Sequence, residues 1–429
     1  MPHEPDRPTP SETVSSDDAP SARRTSARPK RKGRSKRRYR VLTALLATTT
    51  VLALVAGLGS VYFLRHLDDN IKYQDYGDQL TNRPAKVAVD TGPQEPLNIL
   101  VMGSDTREGA GNAVDGYTDD TERSDTTLMF HLSADRTFAY GISIPRDSLV
   151  DRPECKADDG TVIPAAQDVM WNEAFEVGGP ACTMQQFEQL TGIRLDNYVK
   201  VDFHGFKGMV DAIGGVDVCL PAPINDTKAG VDLPAGTQVL DGSDSLGYVR
   251  ARYSIGDGSD IGRIKRQQAF LAAMAGKLVS KGTLARPDRV LGFLDAATRS
   301  LQTDFSSVRE MAKVGSSFRD IGLGNIKFLT VPWQYSPEDP NRVAWLPEAA
   351  QLWKRVKLDK PLAGKAATGV ISAGDDVEGG TPSGSASPSG SASPSGSPSG
   401  SPSQSPSAGG TPDSGAVSDE ERASAGLCT

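Results

Sequence analysis

The sequence predicts an α/β protein: an α-β-α layered domain with a mixed central sheet, preceded by one transmembrane helix. Two observations lead to this fold class. Apolar segments of strand length alternate with segments of helical periodicity between residues 96 and 360, as in layered α/β domains. An uncharged apolar run of membrane-spanning length precedes them at residues 41–64. The domain is therefore expected to be attached to a membrane.

The predicted elements alternate along the chain. Strands rich in apolar residues and bounded by turn signals are predicted at 97–102, 126–132, 137–144, 197–202, 216–220 and 325–332. Helices are predicted at 182–192, 203–215, 266–282, 306–321 and 348–357. Gly192 and Gly282 are expected to end two of these helices, because glycine readily adopts the backbone conformation of a helix C-terminus.

The N-terminal part of the chain divides by composition. Residues 1–40 are predicted to be a disordered basic tail, since eleven Lys and Arg and no acidic residue lie from Arg23 to Arg40. The next 24 residues would extend roughly 36 Å as a helix, enough to cross a hydrocarbon core of ~30 Å. A buried core helix and a cleaved signal peptide are the alternatives.

The basic tail also predicts topology. Positive charge before the span favours a cytoplasmic N-terminus, which puts a stalk at 65–95 and the domain at 96–360 outside the cell membrane. This use of the basic residues makes a nucleic-acid partner unnecessary. Residues 361–429 are predicted to be a disordered tail, because they include a Ser/Pro/Gly tract that cannot form a core.

Four cysteines follow the span. They lack the spacing of a zinc site, and an even number in an oxidising compartment favours two disulfides. Three connectivities are open. We favour Cys155–Cys182, which would close one loop-rich insertion, and this leaves Cys219 with Cys428.

Common catalytic motifs are absent from the sequence. There is no G-x-x-x-x-G-K-[ST] loop, no G-x-S-x-G elbow and no H-E-x-x-H segment. The chain has only four histidines, and their positions favour structural roles. A Ser-His-Asp hydrolase is therefore disfavoured.

Arginine and aspartate side chains instead gather at the ends of three predicted strands and in one later segment. These residues are Asp105, Arg107, Arg123, Asp125, Arg146, Asp147, Arg250, Arg252, Arg263 and Arg266. Adjacent strands could bring them to one edge of the sheet, where ligands of open α/β sheets bind. Paired carboxylates suit Mg²⁺, and guanidinium groups match phosphate oxygens. Taken singly, each Asp could cap a turn and each Arg could form a surface salt bridge.

The motifs occur in a recognisable order. "NILVMGSDTR", "RSDTTLM" and "SIPRD" are followed by "YVKVDFHGFKGMVDAIGGVDV" and by "LDGSDSLGYVRARYSIGDGSDIGRIKRQQ". Over residues 96–360 the chain resembles the LytR-CpsA-Psr family of membrane-anchored cell-wall glycopolymer transferases. One departure is Met170 in "MWNEAF", where many relatives have Lys.

The resemblance implies a Mg²⁺-dependent phosphotransferase, with Mn²⁺ as an alternative metal. It would move a glycopolymer from a polyprenyl-pyrophosphate carrier onto peptidoglycan. Asp105 and Asp125 would hold the metal, and together with Arg146 and Arg263 they form the implied catalytic set. The implied substrate-binding residues are Arg107, Arg123, Arg146, Asp147, Arg250, Arg252, Arg263, Arg266 and Gln267, with Asp147 orienting Arg146 rather than acting as a base.

Two further expectations follow from the resemblance. Phe270, Leu271, Met274 and Leu278 would line an apolar tunnel for the lipid chain, although ordinary core packing explains them equally well. Lys265 is expected to be a solvated helix residue outside the site. A non-catalytic regulator that binds polyprenyl phosphate and a pyrophosphatase acting on the lipid-linked glycan remain the alternative functions.

Overall fold

The computed structural model describes residues 34–89, 92–106, 122–157, 159–374 and 417–428. The chain divides into two units, Met1–Val61 and Tyr62–Thr429. The described part of the first unit is helical. Tyr39–Asn70 is the one helical stretch among the described residues that is long and apolar enough to cross a membrane.

The second unit contains every strand that the structure describes. Its strands are β1 (Lys72–Tyr73), β2 (Leu97–Ser104), β3 (Ser124–Leu132), β4 (Ala139–Ile144), β5 (Leu149–Arg152), β6 (Cys155–Lys156), β7 (Val162–Ile163), β8 (Ala166–Met170), β9 (Asn197–Asp202), β10 (Val216–Leu220), β11 (Ile224–Asp226), β12 (Val231–Leu233), β13 (Gly236–Leu240), β14 (Leu301–Thr303), β15 (Ile326–Thr330), β16 (Trp333–Tyr335), β17 (Val343–Trp345) and β18 (Ile371–Ser372).

The helices vary widely in length. They are α1 (Arg34–Asn70), α2 (Glu173–Thr191), α3 (Phe203–Ile213), α4 (Gly242–Arg250), α5 (Asp260–Val279), α6 (Lys281–Leu284), α7 (Pro287–Ser300), α8 (Val308–Ile321), α9 (Glu348–Lys357) and α10 (Asp419–Ser424).

The main sheet has eight strands in the order β1-β14-β9-β2-β3-β4-β15-β18. It is mixed: β2 pairs antiparallel with β3 and parallel with β9, and β4 pairs antiparallel with β3 and parallel with β15. The prediction of a mixed central sheet is confirmed.

Helices pack against both faces of this sheet. On one face, Leu100 and Met129 lie in a core cluster with Phe187 of α2 and Trp353 of α9. On the other face, Leu128 packs in a second cluster that also contains residues of α5 and α8. Because successive side chains of a strand point to opposite faces, neighbours such as Leu128 and Met129 supply both cores. This arrangement confirms the predicted α-β-α layers.

Most predicted elements are present, with shifted ends. Gly192 ends α2 in the left-handed conformation, at φ 66°. Gly282 was expected to end the helix that begins near 266, and this is wrong. Helix α5 already ends at Val279, and Ser280 then caps α6 by accepting a hydrogen bond from the backbone of Thr283. Helices α4, α6, α7 and α10 were not predicted from the sequence.

Two predicted boundaries differ from the structure. Residues 65–95 were expected to be a stalk, but β1 lies at the edge of the main sheet, and Tyr76 and Leu80 are buried in its core. The domain was expected to end at 360, but β18 pairs with β15, and Leu427 is buried against the domain. Helix α1 begins at Arg34, within the predicted tail. The remainder of that tail and the Ser/Pro/Gly tract lie outside the described residues.

Both disulfides form as favoured. Cys155 is bonded to Cys182, and Cys219 is bonded to Cys428, 209 residues further along the chain. The second bond attaches the last described segment to β10. No described cysteine is free.

Candidate active site

Three strand ends bring the predicted residues to one edge of the sheet. Strands β2 and β3 are antiparallel with Ser104 opposite Ser124, and β3 and β4 are antiparallel with Thr127 opposite Ile144. The end of β2, the start of β3 and the end of β4 therefore coincide. Asp105 directly follows β2, Asp125 is the second residue of β3, and Arg146 lies two residues after the end of β4. The three residues are therefore close together.

Asp125 meets two guanidinium groups. Its Oδ1 lies 2.5 Å from Nη1 of Arg146, and its Oδ2 lies 3.9 Å from Nη1 of Arg263. Burial by itself would raise the pKa of the Asp125 carboxyl, but the charges of Arg263 and Arg146 outweigh burial and lower it. Asp125 is therefore held as a carboxylate by the arginines that face it.

Asp260 is the centre of the arginine cluster, and the sequence analysis missed it. Its Oδ1 lies 2.6 Å from Nη2 of Arg263, 3.4 Å from Nε of Arg146 and 3.7 Å from Nη2 of Arg252. Asp260 is the first residue of α5, after the N-cap Ser259. Its spacing of three residues from Arg263, which places both on one helix face, was the available signal.

Asp147 extends the cluster towards the β16–β17 hairpin. Its Oδ2 lies 3.7 Å from Nε of Arg146, and its Oδ1 lies 3.7 Å from Nη1 of Arg342. Burial raises the pKa of the Asp147 carboxyl, and the nearby charge of Asp260 adds to the rise, while Arg146 opposes it. This geometry fits the predicted orienting role, and Arg342 is a neighbour that the sequence analysis did not identify.

Asp105 and Arg123 form a pair across the two strand ends. The backbone N–H of Arg123 donates to Oδ1 of Asp105 at 2.6 Å, and the N–H of Asp105 donates to the carbonyl oxygen of Arg123. The Arg123 side chain is 45% exposed and lies 3.5 Å from Glu176. It is thus at the rim of the arginine cluster.

An apolar cavity of about 330 Å³ begins at the cluster and lies between the sheet and α3, α4 and α5. Its charged and amide lining residues are Asp125, Asp202, Arg250, Arg263 and Gln267. Its apolar lining is Val101, Leu128, Phe130, Val201, Phe203, Phe206, Met209, Leu246, Val249, Phe270, Leu271 and Met274.

Two contacts hold polar side chains that line the cavity. The guanidinium of Arg250 lies 4.8 Å from the ring centroid of Phe203, and the amide of Gln267 donates to the carbonyl oxygen of Val249. Leu278, expected in the lining, packs instead in the core formed by α3, α4, α5 and β10–β13.

The chain matches a known protein family over most of its length. The model of the LytR_cpsA_psr family matches residues 64–357, about two thirds of the chain. The chain belongs to this family.

Three relatives in the LytR_cpsA_psr family are among the most similar curated proteins. The cell wall biosynthesis protein LcpA of Corynebacterium glutamicum is 32% identical over 259 residues, which cover 55% of this chain and 49% of LcpA. The probable cell wall biosynthesis protein LcpB of the same organism is 33% identical over 267 residues, which cover 60% of this chain and 59% of LcpB.

The third relative is named polyisoprenyl-teichoic acid–peptidoglycan teichoic acid transferase TagU, from Enterococcus faecalis. It is 27% identical over 284 residues, covering 65% of this chain and 86% of TagU. The chain spans about half the length of LcpA and about three fifths of LcpB.

Arg266 does not reach the site of this LytR_cpsA_psr protein, which corrects its prediction as a substrate-binding residue. It is completely buried. Its guanidinium donates to the carbonyl oxygen of Ala425 at 3.0 Å and to that of Ala251. Burial lowers its pKa to about 10.

The expectation that Lys265 is solvated is also wrong, since its Nζ lies 2.9 Å from Glu421 and its side chain is 13% exposed. Arg107 lies outside the described residues.

The acidic side chains of the site supply few metal ligands. No group of three or more His, Cys, Asp or Glu within the described ranges forms a metal-binding cluster. Mg²⁺, however, is often held by one or two carboxylates together with water and substrate phosphate oxygens. Asp105 and Asp125 supply two carboxylates on adjacent strand ends, so this donor set fits a metal that arrives with a phosphate ligand.

Proposed function

We propose that this chain is a phosphotransferase that moves a glycopolymer from a polyprenyl-pyrophosphate carrier onto peptidoglycan. One observation carries the proposal: Arg250 and the deeply buried Arg263 line a cavity whose other lining residues are mostly apolar. A pyrophosphate group with a long hydrocarbon chain has the same division into a charged end and an apolar end.

The arginines are suited to a pyrophosphate group. Arg263 has only 4% of its side chain exposed and Arg146 has 20%. Burying a guanidinium is costly unless it is paired, and here Asp125 and Asp260 supply the pairing. Phosphate oxygens can replace those carboxylate contacts with bidentate hydrogen bonds. The cluster would then exchange internal anions for a substrate anion without leaving a buried charge unpaired.

The cavity provides room for the start of the lipid chain. Each buried methylene stabilises a complex by about 0.8 kcal/mol, so even part of a polyprenyl chain would contribute substantially to binding. Phe270, Leu271 and Met274 come from α5, the helix that also carries Arg263. One helix would therefore contact both ends of the same ligand.

The transfer step needs no covalent enzyme intermediate. A hydroxyl oxygen of the peptidoglycan sugar would attack the phosphorus that bears the glycan, while the bond from that phosphorus to the bridging oxygen breaks. Polyprenyl phosphate leaves, and the hydroxyl proton passes to a base or to water. Arg146 and Arg263 would neutralise the charge that builds on the bridging and terminal oxygens.

Asp105 and Asp125 are the residues proposed to hold Mg²⁺, with Mn²⁺ as an alternative. When bound, the ion would supply further neutralisation of the pyrophosphate charge. Asp147 would keep Arg146 directed at the substrate. The name of TagU describes transfer of teichoic acid to peptidoglycan, and we extend that reaction class, without the identity of the polymer, to this chain.

The proposed reaction also accounts for a membrane anchor. The carrier lipid stays in the bilayer, so a domain held at the outer surface by Tyr39–Asn70 would meet both the carrier and the wall. We propose a cytoplasmic N-terminus, as the basic residues before the span predict.

Incubation of the full chain with a polyprenyl-pyrophosphoryl glycan, Mg²⁺ and a peptidoglycan oligomer tests the function. The proposal predicts a covalent glycan–phosphate–peptidoglycan product. Released phosphate or phosphoglycan without that product would identify a pyrophosphatase instead. Binding of the carrier without turnover would identify a lipid-binding regulator.

A further inference from the structure

The last described segment lies against the part of the chain that carries the arginines. This segment, residues 418–428, contains α10 and is joined to β10 by the Cys219–Cys428 disulfide. Ala425 and Leu427 are buried in the same core cluster as residues of α5 and β15. We call residues 418–428 the C-terminal segment and residues 251–262, which contain Arg252 and end just before Arg263, the arginine loop.

The segment and the loop make close backbone contact. The N–H of Asp257 donates to the carbonyl oxygen of Ser424 at 2.8 Å. Gly256 has a φ of +59°, and a Cβ at this position would collide with the same carbonyl oxygen. Only glycine satisfies both conditions, so the loop is shaped to receive the C-terminal segment.

Arg266 links the two directly. One guanidinium nitrogen donates to the carbonyl oxygen of Ala425 in the segment, and another donates to that of Ala251 in the loop. Ala251 stands between Arg250 and Arg252 in the chain. Holding its carbonyl oxygen fixes the backbone from which both side chains extend.

A second side-chain contact supports the first. Lys265 donates to Oε1 of Glu421 at 2.9 Å, with 13% of the lysine side chain exposed. Lys265 and Arg266 are neighbours on α5, two and three residues after Arg263. Helix α5, which carries Arg263, therefore also binds the C-terminal segment through Lys265 and Arg266.

We propose that the C-terminal segment, closed by Cys219–Cys428 and held by Arg266, positions the arginine loop for a pyrophosphate ligand. Arg266 is thus a positioning residue. The identity of the ligand rests on the proposed function. A loop that contains Gly256 and Gly258, both at positive φ, has many conformations to lose, and ordering them upon binding weakens affinity. The segment would order the loop beforehand.

The alternative is that the disulfide only stabilises the fold. The full chain in detergent, with Cys219 and Cys428 both changed to Ser, separates the two ideas, and the matched control is the Cys155→Ser, Cys182→Ser pair. Both pairs should lower the melting temperature. Hydrogen exchange should rise at the amides of 251–262 only in the first pair, together with exchange at 419–428. The Kd for inorganic pyrophosphate should weaken about tenfold in the first pair and stay unchanged in the control.

Two further variants keep the disulfide intact. Arg266→Lys retains the charge but cannot reach both carbonyl oxygens, and it should raise exchange at 251–262. Glu421→Gln removes one ion pair and should have a smaller effect of the same kind.

Either of two results would overturn the proposal. The first is unchanged exchange at 251–262 both in the Cys219→Ser, Cys428→Ser pair and in Arg266→Lys. The second is an equal loss of pyrophosphate affinity in both cysteine pairs. If the unaltered chain binds no pyrophosphate, the proposed function fails, and the exchange data still decide the positioning.

Discussion

Oδ1 of Asp260 lies 2.6 Å from Nη2 of Arg263, within contact distance of two more arginines. Both side chains are largely buried, at 12% and 4% exposure. Because Arg263 lies in the proposed substrate site, Asp260 has to compensate its charge while no phosphate is bound. Asp260 is thus the nearest counter-ion of the buried Arg263 guanidinium.

The first prediction concerns this pair. Asp260→Asn should lower the free energy of unfolding by about 3 kcal/mol, because it leaves a buried guanidinium without its nearest charge partner. Chemical denaturation of the full chain in detergent measures this. Asp320→Asn is the control, since Asp320 has 64% of its side chain exposed and its loss should change stability by less than about 0.5 kcal/mol. Equal effects of the two substitutions would refute the counter-ion role.

The second prediction uses the opposite pKa shifts of two aspartates. The pKa of Asp125 is lowered in the folded state, so its stabilisation is complete above the unfolded pKa of about 3.9 and is lost as pH falls through the folded value. Asp125→Asn has no ionisable carboxyl at this position and therefore lacks this pH-dependent stabilisation. The stability advantage of the unaltered chain over Asp125→Asn should therefore shrink as the pH is lowered below about 5.

Asp147 should behave in the opposite sense. Its pKa is raised, so the folded state disfavours the ionised form, and a stability cost develops as pH rises through the folded pKa. The free energy of unfolding of Asp147→Asn should therefore increase relative to that of the unaltered chain as pH rises. Denaturation curves for both variants at several pH values check this, and parallel pH profiles for the two would contradict it.

The third prediction concerns the apolar cavity. Met274→Trp should fill part of it and weaken binding of geranylgeranyl pyrophosphate by at least tenfold, about 1.4 kcal/mol, because the indole ring would occupy space that the lipid chain needs. Binding of inorganic pyrophosphate should be unchanged. Leu284→Trp, at a position that is 55% exposed, is the control for added bulk. An equal loss for both ligands would show that the cavity does not receive the lipid chain.

The fourth prediction concerns the Cys155–Cys182 disulfide, which closes a separation of 27 residues. Changing both cysteines to Ser should lower the free energy of unfolding by about 3.5 kcal/mol, from the chain entropy that the cross-link removes. Transferase activity at a temperature well below the melting point should be retained. A loss of activity without a loss of stability would place this disulfide in the site.

The sequence predicted those parts of the fold that depend on local pattern. Strands such as β2 and β4 are continuous apolar runs because the sheet is covered on both faces. Helix α7 was missed, although its Pro287 is a usual helix start. The predicted stalk failed for a different reason: Tyr76 and Leu80 are isolated apolar residues, and only tertiary contacts show that they complete the core.

In the candidate site, too, the residues that local sequence patterns mark were predicted, and those that depend on tertiary contacts were not. Asp125, Arg146 and Arg263 come together as expected, because strand ends and motif order are visible in the sequence. Asp260 was overlooked because the predicted helix began at residue 266, whereas α5 begins at Asp260 itself. Arg266 was misassigned because nothing local distinguishes a guanidinium that faces a ligand from one that faces a backbone carbonyl oxygen.

The most direct test of the central claim is the single-turnover rate of glycan transfer by Arg263→Lys. Lysine keeps the positive charge, so folding should be retained, but it cannot form the bidentate contacts of a guanidinium. The rate should fall at least 100-fold, because a group that stabilises developing charge is lost. Arg299→Lys, at an exposed position, should transfer at the unaltered rate. A rate for Arg263→Lys within threefold of the unaltered chain would show that Arg263 does not stabilise the pyrophosphate charge.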